Sequence, residues 1–169
     1  DRLARAAIDL AATIEGFSLV PFANEAPHLL VDTTAGAIVL TGGSDDVHDH
    51  GPILLLIDFG GNDVYHGTPG ATASAANGLS VVIDVAGSDR YEYTRFPVAA
   101  DATGPIGSHR LASDGRGRAA PSASNGPLSL SDVSRQGAGR LGIGMLFDLG
   151  VETDTYEALR MSQGYGALG

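Results

Sequence analysis

The 169-residue chain has no cysteine, no tryptophan and no lysine. Without thiols it can form no disulfide and offers no thiolate as nucleophile or metal ligand. No apolar run approaches about 20 residues, so no membrane-spanning helix is expected. Aromatic residues make up only 6% of the chain, which suits a thin, regular core better than a bulky one. Bases are scarce as well: ten arginines stand against 20 acids, for a net charge of −10. That balance excludes nucleic acid and anionic membrane surfaces as partners, because both repel an acidic protein. No phosphate-binding loop, dinucleotide fingerprint or serine-nucleophile elbow occurs in the sequence. Ser108 and His109 are merely adjacent in sequence, which does not make a catalytic pair.

What the chain does have is glycine, at 24 residues, and a phrase that returns. LLIDFGGNDVYHG (55–67) recurs as VVIDVAGSDRYEY and again as MLFDLGVETDTYEA. Aligned, the copies give three columns: Asp58, Asp84 and Asp148; Asp63, Asp89 and Asp154; Tyr65, Tyr91 and Tyr156. Asp58 and Asp84 are 26 residues apart, and the stretch AIVLTGGSDDVH reads as a degenerate earlier copy. In that reading Asp45 joins the second Asp column, Val47 the Tyr column and His48 the column after it. The larger gap to the last copy is filled by a Gly-, Pro-, Ser- and Ala-rich insert at about 97–134, expected to be irregular and dispensable. Gln136-Gly137-Ala138-Gly139 recurs as Gln163-Gly164-Tyr165-Gly166, one residue beyond the 26-residue interval.

A repeat of this length means a stacked array, and short β-rich runs beside glycine corners point to strands rather than helices. The expectation is an all-β fold: a right-handed parallel β-solenoid with coils of about 26 residues. Residues 2–15 have the only helical periodicity, and they are expected to cap the open edge of the first coil. The chain then divides into a capping helix and loop, 1–34, and a repeat region, 35–169.

In such a stack, columns become ladders with about 4.8 Å between neighbours. Like charges stacked directly are unfavourable, so something must offset the Asp ladders. Either each Asp caps its corner by accepting backbone N–H bonds, or Asp58, Asp63, Asp84, Asp89, Asp148 and Asp154 share calcium. The Tyr column is an aromatic stack, or else a platform for carbohydrate. The next column holds His48, His66, Glu92 and Glu157. There His48, His66 and Glu92 form either a solvated polar face or a second metal or acid–base site, with His50 facing the same way as His48.

Gly61, Asp63 and Tyr65 of GGNDVY resemble one half of the calcium-binding Gly/Asp nonapeptide of RTX proteins. Asp58-Phe59 replaces the first glycine pair, and the period is 26 rather than nine. The repeats as a whole resemble those of bacterial β-solenoids, and that resemblance implies a secreted or cell-surface location. The leading functional reading is a non-enzymatic structural or binding module, stabilised by calcium at the stacked Asp corners. The alternative is a carbohydrate-active enzyme similar to pectate lyases, which would need a mixed Asp, Arg and Lys cluster breaking the repeat. The lack of lysine favours the module. At its C-terminal edge the pattern stops just before another β-run, so pairing with a second chain or with further sequence is expected there.

Overall fold

The computed structural model describes residues 2–19, 22, 28–72, 74–92, 120–122, 126–128, 134–158 and 162–167. Helix α1 spans Arg2–Gly16. The strands are β1 (Leu29–Thr33), β2 (Gly36–Thr41), β3 (Val47–His48), β4 (Ile53–Asp58), β5 (Val64–His66), β6 (Leu79–Asp84), β7 (Arg90–Glu92), β8 (Ala120–Ser122), β9 (Gly126–Leu128), β10 (Gly139–Arg140), β11 (Ile143–Asp148), β12 (Thr155–Tyr156) and β13 (Gly166–Ala167).

Two sheets carry the repeats. The first has the order β1-β2-β4-β6-β11, the second β12-β7-β5-β3. Within the first sheet β2, β4, β6 and β11 run parallel, with Asp58 opposite Asp84 and Asp84 opposite Asp148. Within the second, Tyr65 faces Tyr91 and Tyr91 faces Tyr156. The 26-residue spacing thus becomes in-register parallel pairing, as the columns require. Smaller pairs complete the set: β10 with β13 in parallel and β8 with β9 antiparallel.

The architecture corrects the expectation of an all-β, right-handed parallel β-solenoid. The fold is mixed α/β, built from sheets with parallel and mixed strands plus one helix, and the described residues form no closed solenoid. The helix is also placed differently. It covers a face of the first sheet, not the open edge of a coil: Ile14 and Leu10 pack with Leu55, Ile57, Val81 and Ile83. The edge beyond β2 is taken by β1, which pairs antiparallel from Leu29↔Leu40 to Thr33↔Gly36.

The physical reason lies in the strands themselves. ILLLID and SVVID are apolar at consecutive positions, so both faces of this sheet need cover. One face packs on the second sheet through Val39, Leu56, Val82, Tyr65 and Tyr91; the other packs under α1. Cover by the helix leaves a wholly apolar cavity of about 430 Å³, lined by side chains that include Leu10, Ile14, Leu54, Leu79 and Ile83.

The corners are glycine-dependent. Gly61 and Gly87 pair across copies with φ of 138° and 154°, and a Cβ on Gly87 would lie 2.0 Å from the Gly61 carbonyl oxygen. Most of the 97–134 insert lies outside the described residues; 120–122 and 126–128 form the small β8–β9 pair. No helix among the described residues is long and apolar enough to cross a membrane.

Candidate functional site

Between the two sheets lies a row of carboxylates and rings, buried at Asp58, Asp84, Tyr65 and Tyr91 and partly open to solvent at Asp148 and Tyr156. Asp58, Asp84 and Asp148 end β4, β6 and β11, and the pleat turns them inward with Leu56 and Val82. Seven residues after Asp58 comes Tyr65, whose hydroxyl donates to Asp58 Oδ2 at 3.2 Å. At the same spacing Tyr91 donates to Asp84 Oδ2 at 2.7 Å. Tyr156 donates to Asp148, with one more residue of chain between them. The three tyrosine rings stack with centroids 4.5 Å apart and planes within 9°. The aromatic stack expected from the Tyr column is therefore present.

The second Asp column does different work. The Asp46 N–H donates to Asp63 Oδ1 at 2.5 Å, the Asp63 N–H to Asp89 Oδ1 at 2.6 Å, and the Asp89 N–H to Asp154 Oδ1 at 2.8 Å. Each carboxyl group accepts the N–H of the preceding copy, so the column is a staircase of hydrogen bonds between copies. Gly60 adds an N–H to Asp58 Oδ1 at 3.1 Å.

This arrangement raises carboxyl pKa values. Burial pushes Asp63 up to about 8, against the opposing pull of the Asp46 N–H and with help from the charges of Asp58 and Asp89. Burial likewise pushes Asp84 up to about 8, opposed by the Tyr91 hydroxyl and helped by Asp89. Asp89 and Asp148 move upward for the same first reason, burial. Burial beside carboxylates also pushes the hydroxyls of Tyr65, Tyr91 and Tyr156 up, which keeps them protonated as donors.

The earliest copy is one residue out of the expected register. β3 pairs Val47 with Val64 and His48 with Tyr65. His48 therefore belongs to the ring column, not the column after it, and Asp46 rather than Asp45 meets Asp63. A slip of one residue moves a side chain to the opposite face. The structure accordingly separates the proposed His48–His66–Glu92 set. His66 and Glu92 face each other, half-buried, with Nε2 and Oε1 3.0 Å apart. His48 is buried instead: its ring lies 4.7 Å from that of Tyr65, and its Nε2 is 2.6 Å from Asp58 Oδ2. His50 is exposed, 4.0 Å from Asp49.

Three contributors escaped the column reading. Thr41 pairs with Asp58 in the first sheet and so takes the Asp position of the earliest copy. Its spacing of seven residues from His48, equal to that of Asp58 from Tyr65, is the signal that would have found it. The Asn77 side chain donates to the carbonyls of Ala35, Ile53 and Leu79, at 2.8, 3.1 and 3.1 Å. The Gln136 side chain donates to those of Tyr91 and Glu157, at 3.1 and 2.8 Å, tying the QG turn to the second sheet. No family model, curated protein or solved structure matches this chain.

Proposed function

We propose that the chain is a non-enzymatic structural or binding module. One observation carries this reading: the second Asp column spends its carboxylates on bonds between successive copies, Asp46 to Asp63 to Asp89 to Asp154. A carboxylate held by backbone N–H groups in a dry interior serves assembly of the stack rather than turnover of a substrate. The binding half of the reading belongs to the outer edge, where β11 and β12 end their sheets. A hollow of about 510 Å³ there is lined by Gln136, Leu146, Asp148, Tyr156 and Gln163. Strand pairing by another chain or by further sequence is the interaction such an edge supports.

Of the six Asp residues expected to share calcium, Asp58 and Asp63 have the His48 imidazole as a neighbour; calcium is the proposed stabiliser of the other corners, Asp84, Asp89, Asp148 and Asp154, whose donors are all oxygen. Its binding would displace shared protons, so its effect should grow with pH. The melting temperature is expected to be higher in millimolar calcium than in chelator; an unchanged curve would leave N–H donors and protons as the whole account. The same samples, incubated with polygalacturonate, should release no unsaturated uronate. Release at a rate proportional to protein would overturn the non-enzymatic reading.

A further inference from the structure

The earliest copy breaks the pattern of the others in a concerted way. Elsewhere an inward Asp is followed by a Tyr that donates to it; here Thr41 and His48 take those two places. His48 reaches forward to the next copy, to Asp58, and the Asp63 carboxylate lies beside both. The imidazole and the two carboxylates each present one ligand atom, and these lie within 4.8 Å of one another. All three residues are at least nine-tenths buried. Asp63 Oδ2 and Thr41 Oγ1 are buried and have no hydrogen-bond partner among the described residues. Thr41, 4% exposed, shares register with Asp58, so its side chain projects from the same face of the first sheet.

The geometry points to a transition-metal site here, with His48 Nε2 and the Asp58 and Asp63 carboxylates holding a zinc-class divalent cation and Thr41 Oγ1 beside it. Donors at zinc distances of about 2.0–2.2 Å in a tetrahedron are about 3.4 Å apart. The observed cluster spans that separation, and the 2.6 Å His48–Asp58 contact opens by less than about 1 Å to admit the ion. One imidazole nitrogen with two carboxylates suits zinc or manganese; calcium wants six to eight oxygens, which this buried pocket does not offer. The cation would offset the repulsion of the two carboxylates, a task left to protons where tyrosine replaces histidine. Entry is by the side of β3, a two-residue strand at the edge of its sheet, where Val47 is exposed. The site goes beyond the module reading and does not depend on it, since calcium at the other corners titrates separately.

The test is zinc chloride added to the chelator-stripped full chain, followed by calorimetry and by metal analysis after desalting. One zinc per chain is expected. His48→Gln should weaken binding by about a hundredfold or more, since even partners of metal ligands are worth 10- to 100-fold. His66→Gln and Glu92→Gln should leave it unchanged. No stoichiometric uptake, or uptake lost in His66→Gln and kept in His48→Gln, would overturn the site. Should His48→Gln fail to fold, anomalous scattering from zinc-soaked crystals of the unaltered chain decides. A peak between His48 and Asp63 supports the assignment, and a peak elsewhere overturns it.

Discussion

Replacing Tyr91 with alanine is expected to cost about 3–5 kcal/mol of folding stability, the range for removing a fully buried large ring. Tyr91 is the middle of the stack. It lies 4.5 Å from the ring of Tyr65 on one side and from that of Tyr156 on the other, with no solvent exposure. Its loss opens a cavity, removes two ring contacts and takes a donor from Asp84 Oδ2. A domain of this kind has about 5–15 kcal/mol in total, so the substitution removes a fifth of its stability or more. Tyr91→Phe keeps the rings and loses only the hydroxyl. It should cost about 1–3 kcal/mol, the penalty for leaving a buried acceptor unsatisfied. Urea unfolding of the two variants separates the contributions. A cost for Tyr91→Phe equal to that for Tyr91→Ala would mean that the hydroxyl dominates and the stack contributes little.

Metal-free protein should lose stability as pH rises through the near-neutral range. The Asp84 carboxyl is raised by burial from 3.8 to about 8, so between those values the folded state holds a proton that the unfolded chain releases. Stability from such a group is complete below its unfolded pKa and is lost as pH climbs through the folded one. The slope is about 1.4 kcal/mol per pH unit for each extra proton held. Asp63, raised to about 8, acts in the same direction, as do Asp89 and Asp148. Asp84→Asn carries a neutral group of the same shape at every pH, so its profile should be flatter than that of the unaltered chain between pH 4 and 8. Denaturant unfolding across that window measures the difference. A wild-type stability that rises over the same range, and more steeply than that of Asp84→Asn, would mean that Asp84 is ionised in the fold.

The columns of the stack were legible because the side chains of a parallel pair share register. A fixed 26-residue spacing therefore places Asp58 beside Asp84 and Tyr65 beside Tyr91 without any knowledge of the loops between. The earliest copy was not legible by the same rule. Its interval is shorter, and both diagnostic residues had changed, Asp to Thr41 and Tyr to His48. Alignment on acidic residues alone chose Asp45, one position short of Asp46. The fold class was misread for another reason. Leu55, Ile57, Val81 and Ile83 face away from the second sheet, and they require an apolar partner. Helix α1 supplies it as a layer, a role that periodicity within the helix could not distinguish from capping an edge. Asn77 could not have been singled out, because its donors reach carbonyls from several separate strands and loops; Gln136 was visible in the recurring Gln-Gly phrase, but not the carbonyls it reaches.

The central claim is that the second Asp column locks each copy to the next through backbone N–H groups. Native-state hydrogen exchange at the amides of Asp46, Asp63 and Asp89 tests it most directly, because those three N–H groups donate to carboxylates and not to a strand ladder. They are expected to exchange only through global unfolding, with protection equal to that of the central strands β4 and β6. In Asp89→Ala the Asp63 amide should lose its protection ahead of the rest. Exchange of all three in the unaltered chain at the rate of open loops would contradict the account.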